Sequence, residues 1–398
     1  MSIELSGLLQ DVVAGGKWEK YSFSEIFENV VEKVAPVSSS LEQYIGLEHL
    51  DSGSLHIKRF GDPKSLTGDK LKIYKGDYIF AKRNAYLKRV SLAKKDAIAS
   101  AHSLVLRTKI EKFNPEFIGY FLLSELFWSR AIEISVGSLS PTINWKSLAK
   151  QEFLLPDKST QGALLPILKS ADTQVEKYIS LTDSLSVLLH AKFKEHSRTS
   201  STIRVLPVCE LLLDSPKNGF SPKANSHGEG AVTVSIGAVN NGVFDPRGKE
   251  KYADVSNEIL DKFNVRRGDV FIVRGNGNKN LCGRAGLSLK DYAGMFYPDL
   301  LIRLRFDSEQ VLPEYAAFLW NTMQSHTQLL RSAKSTNGIW KVNGDDIKRH
   351  NLAVPTIQEQ KVVLAELREV REKLSASTDT TESMRELFNS IINKIFEA

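Results

Sequence analysis

The fold is decided by residues 71–80, LKIYKGDYIF, which predict a strand, a turn and a second strand. The Gly76-Asp77 pair supplies the turn, and the aromatic and β-branched residues after it favour a pleated surface. The same order returns 192 positions later, where Arg267-Gly268-Asp269 precedes the run VFIV at 270–273. The chain therefore repeats one structural element.

Further matches extend this repeat over residues 44–192, shifted forward by about 195 positions. A helix should open at a Pro-Glu pair in each copy; in the first, Asn114 suits the N-cap, Pro115 the first turn, and the helix should continue to Trp128. Because strands and helices mix without regular βαβ alternation, the sequence predicts two compact α+β domains. The matching segments are 115–117 (PEF) and 313–315 (PEY), 145–146 (WK) and 340–341 (WK), and 155–156 (LP) and 354–355 (VP).

Each copy ends in a long helix whose core positions alternate by four and three residues, with Thr182 and Thr381 at the same register. The spacing predicts a coiled coil of about 36 residues, roughly 54 Å long, although two separate amphipathic helices remain an alternative. Pro166 should bend or fray the first helix. The seam positions are Leu164, Leu168, Ala171, Val175, Tyr178, Leu185 and Leu189, then Val363, Leu367, Val370, Leu374, Ser377, Met384 and Phe388.

The composition is that of an ordinary globular protein, with 398 residues, 42% hydrophobic and 25% charged. No apolar run approaches the roughly 18 residues of a membrane span, and the N-terminus lacks a signal-peptide pattern. Cys209 and Cys282 should stay reduced, which fits a cytoplasmic protein. The net charge of +6 and the pI near 9.0 fit a nucleic-acid partner.

Basic residues concentrate at equivalent places in the two copies. Residues 82–95 hold six basic residues and no acidic one, and the second copy has basic residues around the GNGN loop at 275–278. Such runs are commonly solvated faces, but their recurrence favours DNA contacts. The candidate DNA-binding residues are Lys82, Arg83, Asn84, Tyr86, Lys88, Arg89 and Lys146 in the first copy, and Arg274, Asn276, Asn278, Lys279, Arg284 and Lys341 in the second.

Some motifs suggest catalysis, but comparison with the equivalent segment of the other copy weakens that interpretation. Residues 114–117 (NPEF) resemble an amino-methyltransferase signature, but 312–315 (LPEY) shares only a helix start. Pro298-Asp299 with 346–348 (DIK) is too widely spaced for a typical nuclease motif, and no metal-binding histidine pattern or P-loop is present. We predict a chain with no catalytic residues, no metal and no cofactor of its own.

The duplicated frame resembles the specificity subunit of type I restriction–modification systems. The resemblance covers nearly the whole chain and is carried by the order of its motifs, while 157–162 (DKSTQG) departs from the Gln-Glu-Gln helix start of the second copy. The matching motifs are 75–80 (KGDYIF), 267–271 (RGDVF), 283–285 (GRA) and 354–355 (VP) running into 358–361 (QEQK).

The resemblance implies an α+β protein with two target-recognition domains, 1–156 and 198–355, separated by spacer helices 157–197 and 356–398 that form an antiparallel coiled coil. It implies that double-stranded DNA, two methyltransferase subunits and motor-nuclease restriction subunits are the partners. S-adenosylmethionine, ATP and Mg would be bound by those partners. The unlike loops predict an asymmetric, bipartite DNA site with the reading heads about one and a half helical turns apart. A coiled-coil scaffold that binds proteins, or a self-sufficient DNA-modifying enzyme, are the alternatives.

Overall fold

The structure is a computed structural model that describes residues 3–109, 111–138, 140–199, 202–225, 228–240, 242–336 and 339–397. The chain divides into two compact units. The first unit comprises Met1–Ser180 and Thr378–Ala398, and the second comprises Leu181–Ser377. None of the described helices is long and apolar enough to cross a membrane.

The first unit contains two four-stranded sheets and a two-stranded ribbon. The central sheet is antiparallel, in the order Phe27–Asn29, Ser103–Thr108, Tyr78–Ala81, Val90–Leu92. The second sheet runs Lys33–Val34, Lys70–Ile73, Ala97–Ala99, Tyr44–Ile45, and its last pair is parallel. The ribbon joins Trp18–Ser22 to Glu152–Pro156. The α-helices are Ile3–Gly15, Phe23–Ile26, Pro115–Phe121, Glu125–Glu133, Trp145–Leu148 and Lys158–Thr199.

The second unit repeats this plan with additions. Its central sheet runs Lys217–Asn218, Leu301–Leu304, Val270–Val273, Ala285–Leu287, Val243–Phe244, Val239–Asn240. Its second sheet runs Glu250–Ala253, Ala231–Val234, Tyr292–Phe296, Asn264–Val265, and its ribbon joins Arg204–Pro207 to Asn351–Val354. A three-stranded sheet runs Gly275–Asn276, Ile339–Lys341, Lys334–Thr336. The α-helices are Asn257–Phe263, Pro313–Asn321, Met323–Leu330, Gly344–Lys348 and Ile357–Phe396.

The two units share one strand order, which confirms the prediction of a duplicated α+β fold. The first four strands of the second unit's central sheet correspond one by one to the four strands of the first unit's. A parallel pair also recurs in each second sheet, between Tyr44–Ile45 and Ala97–Ala99 and between Ala231–Val234 and Tyr292–Phe296. The units therefore differ in what is added to the frame.

The Gly-Asp turn of each unit is fixed by a buried carboxylate. Gly76 and Gly268 adopt positive φ values of 96° and 87°, which glycine accepts without strain. Asp77 is 1% exposed, and its two carboxylate oxygens accept hydrogen bonds of 2.7 and 2.8 Å from Arg107. Asp269 is equally buried and pairs with Arg305 at 2.6 Å. In each unit, therefore, an arginine at the equivalent position ties the turn to the neighbouring central strand.

A buried glutamine joins the start of each long helix to the start of the Pro-Glu helix. Gln161 Oε1 accepts from the Asn114 N–H at 2.8 Å, and its Nε2 donates to the Pro156 carbonyl at 2.9 Å. Gln360 makes the same two bonds, with the Leu312 N–H at 2.8 Å and the Pro355 carbonyl at 2.9 Å. The first helix start was expected to depart from the second, but the glutamine is placed alike in both.

The two long helices, Lys158–Thr199 and Ile357–Phe396, pack antiparallel. In the first unit, Leu164, Leu168 and Val175 at the beginning of the first helix share a core with Phe388 and residues 391–396 at the end of the second helix. In the second unit, the end of the first helix packs against the beginning of the second, through Leu189 and Phe193 with Val363, Leu367 and Val370. Opposite ends of the two helices therefore meet in each unit.

The predicted seam positions are buried or half-buried along both helices. Ala171, Tyr178, Leu185, Leu374 and Met384 are half-buried, and the other apolar positions are buried. Polar residues also enter the seam: Thr182 and Ser377 share a hydrogen bond of 2.8 Å between their hydroxyls in the second unit. Ser377 and Thr381 are 5% and 7% exposed.

Three predictions about local structure are wrong in whole or in part. The helix from Pro115 ends at Phe121, because Ser124 accepts a hydrogen bond from the Phe127 N–H and caps a new helix, Glu125–Glu133. Pro166 was predicted to bend or fray the first long helix, and the fraying is absent: the helix continues through Pro166, and buried Gln161, Leu164 and Leu168 hold that turn in place. The third error is the alignment of 145–146 with 340–341, since the first pair begins a helix and the second lies in a strand.

Candidate nucleic-acid interface

The basic loop of the first unit connects two central strands and ends in a strained tip. Ala85–Leu87 forms a single 3₁₀ turn, flanked by Asn84 at φ 54° and Lys88 at φ 45°. These two are the non-glycine residues with positive φ in the part of the chain that the structure describes. Each such conformation costs on the order of 1–2 kcal/mol and persists only where the surroundings impose it.

The surroundings of this tip are well defined. Asn84 Oδ1 accepts a hydrogen bond of 3.0 Å from the Ser140 hydroxyl, and the Ala85 N–H donates to the Pro141 carbonyl at 3.2 Å. Lys88 forms an ion pair with Glu125, and Arg89 donates to the Leu47 carbonyl at 2.7 Å. Lys88 and Arg89, both predicted DNA contacts, therefore hold the loop against its own unit.

The exposed part of the loop carries a local positive field. Arg83 is exposed, while Lys82 is half-buried and donates to the Ala101 carbonyl at 3.2 Å. The pKa of His102 is lowered by burial and by the positive charges of Arg83, Lys82 and Lys70. The pKa of Lys82 is likewise lowered, by burial and by Arg83. Such a cluster of cations is suited to a phosphate backbone.

Lys146 reaches the same part of the unit from another element. The Ile143 N–H donates to the Lys82 carbonyl at 2.8 Å, and Asn144 then begins the short helix Trp145–Leu148. Lys146 is exposed on that helix. Residues 82–86 and 143–146 therefore form adjoining segments of one surface.

The corresponding loop of the second unit is built on the three-stranded sheet. Gly275 and Asn276 pair with Lys341 and Trp340, and Lys341 also pairs with Lys334 of the third strand. Lys279 lies over the Trp340 ring, with Nζ 4.3 Å from its centroid. This arrangement brings exposed lysines of two segments to one surface.

The asparagines of this loop shape its backbone. Asn276 Oδ1 accepts from the Asn278 N–H at 2.8 Å, and Asn278 Oδ1 accepts from the Asn280 N–H at 2.9 Å. Their side-chain amide nitrogens donate to no residue that the structure describes. Those donors are suited to the acceptor atoms that base edges present in a groove.

Two predicted arginine contacts in this loop are engaged within the unit. Arg274 donates to the Asp299 carbonyl at 3.3 Å and lies 3.7 Å from the Asp299 carboxylate. Arg284 donates to the Asn280 carbonyl at 3.0 Å and to the Asn321 carbonyl at 3.1 Å, and burial lowers its pKa. Lys279 and Lys341 are exposed, whereas both arginines stabilise the loop.

The two loops occupy equivalent places in their units. The offset that relates the segments packed against them is 199 residues, whereas the sequence match of 145–146 with 340–341 had suggested 195. Ile143 pairs with the Lys82 carbonyl as Val342 pairs with the Arg274 carbonyl, at 2.8 and 2.9 Å. Ile143 and Val342 are both buried and 199 positions apart. Sequence reasoning missed Lys334, a residue that only the strand pairing brings beside Lys341.

Features of a catalytic centre are scarce in the described ranges. Among those residues, no group of three His, Cys, Asp or Glu side chains could hold a metal ion. The buried pair His326 and His350 instead makes structural bonds: His326 Nε2 to the Cys282 carbonyl and His350 Nε2 to the Ser325 hydroxyl, both at 2.8 Å. Burial lowers the pKa of His350 to about 4.

Comparison with known proteins points to one family. Residues 15–181 match the family model of the type I restriction modification DNA specificity domain. The chain is similar to the EcoKI specificity subunit of Escherichia coli, 25% identical over 305 residues, covering 70% of this chain and 64% of that protein. It is also similar to the StySPI specificity subunit of Salmonella potsdam, 22% identical over 313 residues, covering 72% of this chain and 66% of that protein.

The match thus spans slightly less than two thirds of the length of these curated relatives. Among solved structures, the S subunit of a type I restriction–modification system from M. genitalium aligns with 96% of this chain and 96% of its own, at 14% identity and a TM-score of 0.49.

Proposed function

We infer that this chain, whose residues 15–181 match the family model of the type I restriction modification DNA specificity domain, is a specificity subunit that reads duplex DNA for partner enzymes. The observation that carries this proposal is the combination of one frame used twice with unlike loops at the equivalent position. Shared features, such as the buried Asp–Arg pairs and the buried glutamines, stabilise the frame. The loops that differ are exposed and basic.

The two loops offer different chemistry to DNA. The first presents Arg83 and the aromatic ring of Tyr86, whereas the second presents Lys279, Lys341 and the amides of Asn276 and Asn278. Lysine and arginine contacts to phosphates position a protein on DNA, while amides and arginines distinguish base edges. We therefore propose an asymmetric, bipartite target with two unlike half-sites.

The antiparallel long helices support a second part of the proposal, in which they space the half-sites and dock two methyltransferase subunits. Partners would also include motor-nuclease restriction subunits, and S-adenosylmethionine, ATP and Mg would be bound by partners. Removing one heptad from each helix shortens a helix by about 10 Å, equivalent to about three base pairs. We expect the unread gap of the target to shrink accordingly.

Selection of duplexes from a random pool with the full chain and its methyltransferase partner tests the proposal. We expect two unlike motifs at a fixed separation, with binding that weakens steeply as salt rises. A single contiguous or palindromic motif would contradict the bipartite proposal. Failure of the chain, alone and with its partner, to bind duplex DNA at low salt would contradict the function itself.

A further inference from the structure

The tip of the first unit's loop exposes apolar side chains between its two left-handed residues. Tyr86 is 58% exposed and Leu87 is 37% exposed. The Tyr86 hydroxyl makes no hydrogen bond to another residue that the structure describes. Ala85, the first residue of the 3₁₀ turn, is 1% exposed and belongs to the core of the unit. The turn therefore directs one residue inward and leaves two in solvent.

The backbone beneath these side chains is fixed on both sides. The Leu87 N–H donates to the Asn84 carbonyl at 2.9 Å, and the Lys88 N–H donates to the Ala85 carbonyl at 3.0 Å. On the outer side of this turn, Lys88 is paired with Glu125. A rigid backbone lowers the entropy that exposed side chains lose when they enter a partner.

The charge around the tip indicates which kind of molecule these exposed side chains enter. Arg83 precedes the tip, and after burial, which is the main cause, the positive charges of Arg83, Lys82 and Lys70 lower the pKa of His102. Apolar side chains exposed beside the cations Arg83 and Lys82 match a duplex, whose phosphates surround stacked, apolar bases. A protein surface would need to be acidic and apolar at once to match the tip as well.

We propose that Tyr86 and Leu87 form an apolar wedge that enters the base stack of the first half-site and unstacks one base step. This inference rests on the proposed function and specifies how the first unit engages DNA. Apolar wedges between base steps kink the duplex, so the sequence preference would include a step that is easily unstacked.

The second unit supplies the internal comparison. Its corresponding loop has no left-handed residue other than glycine among those described, and its exposed apolar side chain is Leu281, at 50%. Leu281 follows a run of asparagines and Lys279 in place of a fixed 3₁₀ turn. We expect the wedge to act at the first half-site, with the second read by polar contacts.

The test uses a duplex recovered by the full chain and its methyltransferase partner, probed with permanganate for unstacked thymines and diethylpyrocarbonate for unstacked purines. Apart from bases that the methyltransferase partner itself flips out of the stack, the wild-type chain should produce one hyper-reactive step, in a single half-site. The double variant Tyr86→Ala/Leu87→Ala should lose that reactivity and bind about tenfold more weakly, while the salt dependence of binding stays unchanged. Tyr86→Phe should keep the reactivity, and Leu281→Ala, the matched control, should leave it in place.

Both replaced side chains are exposed, so circular dichroism should show the same fold. Arg83→Ala provides the opposite signature, with a salt slope smaller by about one and the reactive step retained. Wild-type binding without a reactive step, or reactivity that survives Tyr86→Ala/Leu87→Ala, overturns the wedge and leaves the proposed function standing. Absence of any DNA binding by the wild type overturns both.

Discussion

Replacing Gln360 with leucine tests how the long helix is joined to the recognition unit. The Gln360 side chain is 0% exposed and makes three hydrogen bonds: 2.8 Å from the Leu312 N–H, 2.9 Å to the Pro355 carbonyl and 3.2 Å to the Gln310 carbonyl. Leucine has a similar volume but no polar atoms. The variant would leave a buried N–H without its partner and weaken the bonding of two carbonyls.

The expected cost follows from that geometry. An unsatisfied buried donor costs about 1–3 kcal/mol, and the two carbonyls add a smaller penalty each. The greater apolar burial of leucine offsets part of this, so we expect a net loss of about 3 kcal/mol. Gln161→Leu in the first unit should cost somewhat less, because its third bond, to the Lys112 carbonyl, is 3.4 Å long.

Hydrogen–deuterium exchange followed by mass spectrometry separates the two units, which a global melting curve does not. Peptides covering 312–318 should exchange about 100-fold faster in Gln360→Leu, whereas peptides covering 114–120 should be unaffected. Gln358→Leu, an exposed position in the same helix turn, is the matched control and should change stability by less than about 0.5 kcal/mol. A loss below about 1 kcal/mol for Gln360→Leu would refute the reasoning.

Three further outcomes are expected. Asp269→Ala should lower the unfolding free energy of the second unit by about 3 kcal/mol in urea titrations, since Arg305 loses its buried partner; an unchanged midpoint would contradict this. Burial depresses the pKa of His350 to about 4, so the full stability that neutral His350 allows is present above pH 6.5. Up to about 3 kcal/mol of unfolding free energy is lost as the pH falls from 6.5 towards 4. His350→Gln should flatten this dependence of stability on pH, and an equal slope in the variant would exclude His350 as its source. Lys341→Ala should reduce the slope of log affinity against log salt by about one, measured by fluorescence anisotropy; no change would remove Lys341 from the interface.

The sequence predicts the frame well because the frame depends on local signals. Glycine followed by aspartate predicts a turn, and a four–three spacing of apolar residues predicts a packed helix. Both patterns recur in each copy, so one copy checks the other. The strand order shared by the two units agrees with the predicted repeat, and the antiparallel helix packing agrees with what the family resemblance implied.

The contacts that fix the frame are less visible in the sequence. Asp77 is 30 residues from Arg107, and only strand pairing places their side chains together. Gln161 was hidden by the unlike residues around it, although the 199-residue offset of the helices aligns it with Gln360. The identical residues Trp145 and Trp340 gave a wrong alignment, because Trp145 begins a helix and Trp340 lies in a strand.

The candidate interface was predicted from residue types, and residue types do not show which side chains already bond within their own unit. Arg284 and Arg89 have the charge of DNA contacts, yet both donate to backbone carbonyls within their units. Whether an arginine faces solvent depends on residues far along the chain, such as Leu47 and Asn321. The exposed members of the set, including Arg83, Tyr86 and Lys341, are therefore the stronger candidates.

The packing of residues 378–396 has a consequence for how the protein is made. The first unit's core contains Phe117 and Phe121, and Phe396, from the last turn of the second long helix, lies 5.6 and 5.5 Å from their rings. During synthesis at about 5–20 residues per second, the ribosome adds the intervening residues 181–377 over roughly 10–40 s. For that interval the first unit has no partner for its aromatic surface. We therefore expect the nascent chain to depend on a chaperone until residues 378–396 have been made, and a stop codon before residue 378 to disable the unit made first.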